Sequence, residues 1–372
     1  MFKVEMFPAG FGDCLWIEYG AGAQVHRVLI DGGISGTYKA IKERVESLPL
    51  DDRHFELFVV THIDADHIEG SIRLLGAMNS LGVSFSDVWF NGWKHLPEEE
   101  DDGRLGGEQG EFLSALIERQ GVPWNVAFRG KAVLVPDKGA LPVVTLPGGL
   151  RLTLLSPTLE RLKELRGKWE EEVRKAKLDR DSLDAVLRAL EERAALRPED
   201  DLSLGEQAIK VEELARTRFE SDDSKANGSS IAVLVEFDGK RCLLTGDAYA
   251  TELETNIKRL LDDGDAEVLK LDLLKLPHHG SAGNVSNSLL RLLDCPRYLF
   301  STNGKRYKHP DRAGVARVIV NGGERPSLYF NYRTEFNDLW DDPALKADRR
   351  HPYKTFYPEE GKNGYLVDLT GD

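Results

Sequence analysis

The chain is poor in cysteine and has no long apolar run, and both shortages narrow what it can be. Its 372 residues hold three cysteines, Cys14, Cys242 and Cys295. A small, odd number in so long a chain excludes a disulfide framework and points to a reducing compartment. The opening Met1-Phe2-Lys3-Val4-Glu5-Met6-Phe7-Pro8 shows no basic segment followed by an apolar one, so no secretory signal is read there. No stretch of about 20 apolar residues is present to span a bilayer. A cytoplasmic location without membrane contact is therefore expected. Positive charge is also in deficit, with 49 Lys and Arg against 63 Asp and Glu and a net charge of −14. That balance excludes a surface that coats nucleic acid or anionic lipid indiscriminately, though not a local basic groove. What is present suffices for a core: 41% of residues are apolar and 30% charged, a folded rather than a disordered composition. The length suits two domains or one large elaborated one.

Hydrophobic patterning predicts alternating strands and helices. Strands are expected over 2–7, 14–19, 25–30, 56–60, 88–90, 132–136 and 151–155, with helices over 36–47 and 68–80. After a change in character the pattern resumes with a hairpin, 230–237 and 241–245, turning at Asp238-Gly239. A helix over 249–262, a strand over 268–276, a helix near 286–293 and a strand at 298–301 complete the pattern. Strands in both halves end in His or Asp, which is how sheet-based enzymes gather chemistry on one rim. Between Thr158 and Lys225 half of the residues are charged, with only two Gly and one Pro. Leu159, Leu162, Leu165, Trp169, Val173 and Ala176 step by three and four, and Leu183, Val186, Leu187 and Leu190 repeat that face. This reads as a helical insertion, a hairpin of two long helices with a shorter one near 204–218. It is expected to be a solvated cover, the alternative being a clamp for substrate or a protein partner.

The chemistry concentrates in Thr61-His62-Ile63-Asp64-Ala65-Asp66-His67-Ile68-Glu69-Gly70. Four potential ligands, His62, Asp64, Asp66 and His67, fall within six residues directly after an apolar strand. Imidazole and carboxylate at that density suit a pair of divalent cations.

This run resembles the His-x-His-x-Asp-His signature of the metallo-β-lactamase superfamily, with Asp64 where the second His usually stands. Leu29-Ile30-Asp31-Gly32-Gly33 resembles the superfamily's first motif, whose Asp supports a ligand from behind. Leu244-Thr245-Gly246-Asp247 resembles the later motif whose Asp bridges two metals. Asn227-Gly228-Ser229-Ser230, Pro277-His278-His279-Gly280-Ser281, Asn303 through Tyr307 to His309-Pro310, and the turn Gly10-Phe11-Gly12-Asp13-Cys14 resemble one branch, the nuclease domain of ComEC-type competence proteins. The resemblance covers about 1–156 and 226–315. It implies a four-layer αβ/βα metallo-β-lactamase sandwich, an α/β fold, whose N-terminal half spans 1–157, whose charged helical insertion spans 158–225, and whose C-terminal half with an extension spans 226–372. ComEC proteins are membrane-embedded and this chain has no such part, so only the hydrolytic domain is shared.

The resemblance also implies roles. His62 and Asp64 hold one metal, Asp247 bridges, and His279 adds a fourth ligand; Asp66, His67, Asp247 and His309 hold the other. His278 contacts the scissile phosphate or protonates the leaving oxygen, so that Asp66 and His278 are the catalytic candidates and Asp31 the supporting one. Which of His278 and His279 binds metal stays open. The isolated metal-binding His that the superfamily places between its first signature and the bridging Asp has one counterpart, His95, which comes early and is expected to be a surface residue. The carboxylate of Asp64 makes its site harder, so two divalent ions, Zn²⁺ or Mn²⁺, are expected. Two such ions can activate a hydroxide between them for phosphodiester cleavage, and equally for lactones or β-lactams. The substrate must be read from the surroundings. Lys305, Arg306, Lys308 and Arg312 against Asp311 make a basic patch beside His309, and Tyr307 can stack a base or bind phosphate. A nuclease cutting DNA is the leading expectation. A small-molecule hydrolase and a metal-bound scaffold in a bacterial multi-protein defence system are the alternatives. The aromatics of the tail, among them Tyr329, Phe330, Trp340, Tyr353, Phe356 and Tyr357, are expected to pack onto the core.

Overall fold

The computed structural model describes residues 1–97, 108–176, 209–264 and 266–371. The first half lays down β1 (Phe2–Met6), β2 (Leu15–Tyr19), β3 (His26–Ile30), β4 (Leu57–Val59) and β5 (Val88–Trp89). The first three form an antiparallel meander, after which β3, β4 and β5 pair in parallel. Parallel pairing needs long crossovers, and α1 (Tyr38–Glu46) and α2 (Ala65–Leu81) supply them. α3 (Glu108–Arg119) comes after β5.

The second sheet holds β6 (Val143–Thr145), β7 (Arg151–Ser156), β8 (Ala232–Phe237), β9 (Lys240–Leu244), β10 (Leu273–Lys275), β11 (Arg297–Phe300), β12 (Ser327–Phe330) and β13 (Lys354–Phe356). Its strands lie side by side in chain order, antiparallel from β6 to β9 and parallel from β9 to β13. β14 (Tyr365–Asp368) returns to the first sheet and pairs antiparallel with β1. The turn between β8 and β9 is the expected two-residue one, with Asp238 and Gly239 both at positive φ.

Period-two alternation sorts the side chains into layers. Phe2, Val4 and Met6 of β1 and Leu15, Ile17 and Tyr19 of β2 enter one apolar cluster with Leu152, Leu154, Val233 and Val235 of the second sheet. Phe237 closes that interface against Phe2 and Tyr19, at ring-centroid distances of 5.8 and 5.3 Å. The alternate residues Trp16, Leu29 and Phe58 turn the other way, onto Ile41 of α1, Ile68 and Ile72 of α2 and Leu113 of α3. Between β7 and β8 run α4 (Leu159–Ala176) and α5 (Val211–Ala215). α6 (Ala250–Gly264), α7 (Asn287–Arg291) and α8 (Arg312–Asn321) cover the second sheet through Leu253, Ile257, Leu290, Val315 and Ile319. Helices, sheet, sheet, helices: this is the four-layer αβ/βα sandwich that the motifs imply.

Several local expectations need correction. Residues 132–136 form no strand. The side-chain amide of Asn91 takes up the main chain there, accepting from Val133 N at 2.8 Å and donating to Val133 O at 2.9 Å, while Val133 and Val135 enter the core from an irregular segment. The edge strand is β6 instead. The run 268–276 is interrupted after Lys270, leaving β10 and a two-residue strand. α2 starts at Ala65, three residues earlier than expected, so Asp66 and His67 ride on its first turn. Of the stretch 158–225, α4 buries Leu162 and Leu165 in the core of the first half. The second long helix expected there, with Leu183, Val186, Leu187 and Leu190, lies outside the described residues. The tail packs its aromatics as expected: Tyr329 stacks on Phe356 at 4.5 Å and Phe330 on Tyr357 at 5.1 Å, with Trp340 and Tyr353 buried.

Candidate metal centre

Five loops meet on one rim, each beyond the C-terminal end of a strand: 31–33 after β3, 61–64 after β4, 245–249 after β9, 276–281 after β10 and 301–311 after β11. Glycines let the first of these loops approach α2, which follows the second. A Cβ on Gly70 would stand 1.9 Å from Gly32 O, and one on Gly32 would stand 2.1 Å from Ser71 N. The backbones therefore touch, Gly32 N donating to His67 O at 2.8 Å and Gly70 N to Gly33 O at 3.0 Å. That contact brings Asp31 beneath His67.

Each histidine is held through Nδ1. Asp31, in the left-handed region, accepts from His67 Nδ1 at 2.7 Å and from Thr61 N and Oγ1 at 2.7 and 2.8 Å. His62 Nδ1 meets Thr61 Oγ1 at 3.0 Å and Ser230 Oγ at 3.2 Å, and Ser230 Oγ also accepts from Asp247 N. His279 Nδ1 donates to Ser301 O at 2.8 Å, with Asp13 Oδ1 at 3.2 Å from the same nitrogen as an ionic neighbour. With Nδ1 carrying the proton, Nε2 presents a lone pair, and such anchoring is what orients metal-binding imidazoles.

The Nε2 atoms converge on Asp247. Its Oδ2 lies 3.3 Å from His67, 3.6 Å from His279, and 3.9 Å from both His62 and His278. His279 Nε2 is also 3.4 Å from Asp66 Oδ2. These separations are too long for good hydrogen bonds, and His62 Nε2, His67 Nε2, His279 Nε2 and Asp247 Oδ1 are buried without a partner. Buried polar atoms are seldom left so. Donors tetrahedrally placed about 2 Å from one cation sit roughly 3.3 Å apart, close to what is seen. Among the described residues four groups of three have ligand atoms within 4.8 Å of one another: His62, His67, Asp247; Asp66, His67, His279; and, through Asp13, Asp13, Asp31, His67 and Asp13, Asp247, His279. Charge leads to the same conclusion. Asp13, Asp31, Asp66 and Asp247 are buried around the site, and among the described residues in direct contact the permanent counter-charge is Lys275, wholly buried and bonded to Asp13. Burying that much negative charge is costly without cations. The residues fit divalent metal.

Other expected site residues stand further out. Asp64 is the N-cap residue of α2 and its side chain makes no capping bond; 42% exposed, it puts Oδ2 3.6 Å from His62 Nε2. His309, its Nδ1 3.2 Å from Asp311 Oδ1, has its ring 5.0 Å from that of His278 and 6.3 Å from that of His279. Neither belongs to the tight groups of donors. His278 has its Nδ1 against Asn284 Oδ1 at 2.9 Å and Asp222 Oδ2 at 3.4 Å. Burial opposes its charge, but Asp247 and Asp222 raise its pKa to about 9. Burial likewise pushes the Asp247 carboxyl up, while His67, His279 and His278 outweigh this and hold it well below the usual range. Lys305, Arg306 and Tyr307 are exposed and Lys308 half-buried on the loop before His309. His95, expected at the surface, is 8% exposed and edge-on to Trp124 at 4.6 Å, where burial lowers its pKa to about 4. It is in none of the donor groups.

Sequence reading assigned no role to Asp13, Lys275, Ser230, Asn284 or Asp222. Lys275 carried a signal, a lone cation in the apolar run Leu273-Leu274-Lys275-Leu276 beside the His pair. Asp222 carried none, since it comes from the far end of the stretch read as an insertion. Its carboxylate accepts from Ser224 N, Asn227 Nδ2 and Asn284 Nδ2 at 2.9, 2.7 and 3.0 Å, and so fixes the residues around His278. Replacing Asp222 by Ala is expected to cost about 10–100-fold in turnover or metal affinity, the usual effect of losing a supporting partner. Asp222→Asn, which keeps the acceptor oxygen, should cost less. Turnover and metal titration on both variants check this; equal activity of Asp222→Ala and wild type would contradict it.

No family model matches the chain, and no curated protein does. Among solved structures it is similar to CmlA, a diiron β-hydroxylase from Streptomyces venezuelae, at 12% identity and a TM-score of 0.41 over 99% of this chain and 54% of that one. It is also similar to a diphosphatase from the PhnP family, at 10% identity and 0.37 over 99% and 98%. A third is MEM-A1, a subclass B3 metallo-β-lactamase from a soil metagenome library, at 12% and 0.30 over 75% and 78%. The chain spans about half the length of the CmlA chains it matches. At such low identity and TM-score, the chain's own layers and side chains carry the functional assignment.

Proposed function

We propose that the chain is a metal-dependent hydrolase that cleaves phosphodiesters, with DNA as its substrate. The observation that carries this is the convergence of three buried, unpartnered Nε2 atoms on the Asp247 carboxylate. His62, His67, Asp66, Asp247 and His279 would hold two divalent ions, Zn²⁺ or Mn²⁺, with Asp64 and His309 at the margin. Bound there, such ions supply Lewis acidity and make water nucleophilic near neutral pH.

The chain's own groups do the rest. Asp31, Ser230 and Ser301 fix the imidazoles, so little reorganisation is needed on binding. His278 stands in the left-handed region at φ +47°, with Nε2 facing the centre. With Nδ1 held against Asn284 and Asp222, it stands where it can give a proton to the leaving oxygen. Lys305, Arg306 and Lys308 supply positive charge beside His309 in a chain of net charge −14, which suits phosphates flanking the scissile one.

The test is cleavage of plasmid, linear and single-stranded DNA with Mn²⁺, Zn²⁺ or Mg²⁺, using Asp66→Ala as control. Neutralising Lys305, Arg306 and Lys308 to Gln is expected to weaken DNA binding and flatten the log–log salt slope by up to about three units. Turnover of bis(p-nitrophenyl) phosphate should change little. An unchanged salt slope would take this loop out of the substrate groove and favour a small-molecule hydrolase.

A further inference from the structure

Among the described residues five large apolar side chains are exposed, and Tyr307 is the one aromatic among them, at 46% exposure. It stands at the rim of the centre, its ring 6.1 Å from that of His309. Phe11, from the opening turn of the first half, meets it edge-on at 5.8 Å. The Arg306 guanidinium lies against both rings, 5.4 Å from the Phe11 centroid and 5.2 Å from that of Tyr307. Two rings and a guanidinium thus gather where the two halves of the chain join beside the centre.

The loop that carries them is held in shape before any ligand arrives. Asn303 N donates to Gly10 O at 2.7 Å, tying it to the turn that bears Phe11. Gly304 N donates to Thr302 Oγ1 at 3.1 Å and Lys305 N to Asn303 Oδ1 at 3.1 Å. Lys308, in the left-handed region at φ +60°, closes the turn by donating to Gly304 O at 2.8 Å. The Tyr332 hydroxyl accepts from Gly10 N at 2.8 Å on the other side. Tyr307 thus leaves nearly half of its surface open on a constrained loop, with the buried Phe11 against its edge. A preorganised ring binds with little ordering cost.

We propose that Tyr307 and Arg306, backed by the buried Phe11, form a platform for an unpaired nucleobase whose phosphate lies at the His278, His279 and His309 end of the site. Every base has a π-face, so the platform favours no sequence. A base inside a duplex cannot reach it without leaving the stack. The substrate class is therefore single-stranded nucleic acid or a nucleotide with a free base. This rests on the phosphodiesterase reading of the same centre, and the experiment separates the two.

The probes are adenosine 5′-monophosphate and ribose 5-phosphate, which share sugar and phosphate and differ in the base. Their affinities for the Mn²⁺-equilibrated protein are measured by calorimetry, for wild type, Tyr307→Ala, Tyr307→Phe and Phe11→Leu. The base is expected to tighten binding about tenfold in the wild type, as base–aromatic stacking does elsewhere. Tyr307→Ala should abolish that gap, Phe11→Leu should narrow it and Tyr307→Phe should keep it. Equal affinity for the two probes in the wild type, or a gap unchanged in Tyr307→Ala, overturns the platform. Turnover of bis(p-nitrophenyl) phosphate is measured in parallel. Its absence in the wild type removes the hydrolase reading, while the base preference stands or falls on affinity alone.

Discussion

Replacing Lys275 by Met is expected to destabilise the fold by about 3–5 kcal/mol, the cost of leaving a buried charge without its partner. The Lys275 ammonium is wholly buried at the end of β10, between the Asp13 carboxylate and Gly246 O. Burial alone would push the Asp13 carboxyl up, yet Lys275 and His279 hold it well below the usual range, so Asp13 is an anion in the folded chain. Met fills similar space but leaves that anion uncompensated beside Asp247 and Asp66. In a chain of this length the loss should appear as a fall in Tm of about 4–6 °C. Asp13→Asn in the same background tests the cause. With both charges gone the double variant should recover most of the stability, since a buried pair replaced as a unit is often nearly neutral. It should not recover metal affinity, because Asp13 also faces Nδ1 of His279. A Tm within about 1 °C of wild type for Lys275→Met would show that Asp13 does not depend on this ammonium.

The same pair shows what sequence reading reaches and where it stops. The motif His62 to His67 was legible because its ligands are neighbours in the chain, and the glycine motif after β3 because close backbone contact demands glycine. The order of strands and helices, and from it the four-layer fold, is set by period and length. Contacts between residues distant in the chain were not legible. Asp13 and Lys275 are 262 residues apart, and Asp222 reaches His278 through a segment whose composition reads as surface helix. No local pattern encodes such meetings; they arise from how the two halves close on each other. The absent strand at 132–136 is a related failure. Val133 and Val135 carry the right apolarity, but Asn91, some 40 residues earlier, satisfies the Val133 backbone in place of a neighbouring strand. His95 misled in the opposite direction, since a histidine beside Lys94 in a short turn reads as exposed until Trp124 packs against it.

Changing Asp247 to Asn is expected to abolish turnover, by about 10³-fold or more, and to remove the stabilisation that metal gives. The variant keeps the shape and removes only the charge. Four imidazole Nε2 atoms lie within 3.3 to 3.9 Å of Asp247 Oδ2. A carboxylate there can share its two oxygens between two cations, whereas a neutral amide offers one weak oxygen donor and an NH₂ that repels a cation. Without metal the folded chain favours this carboxylate through three nearby histidines, so the amide should cost some stability, while the backbone bond from Asp247 N to Ser230 Oγ is unaffected. The measurement is Tm with and without a chelator, alongside metal content. At a metal concentration about 100 times Kd, wild type gains roughly 2.7 kcal/mol from binding, and its Tm should fall when the chelator is added. Asp247→Asn should melt at one temperature in both conditions, somewhat below that of the chelated wild type. If the variant keeps its metal and its response to chelator, the Asp247 carboxylate is not needed to hold the ions and the centre is built on His62, Asp66, His67 and His279. If wild type shows no response either, the buried Nε2 atoms are not metal ligands, and the hydrolase reading falls with them.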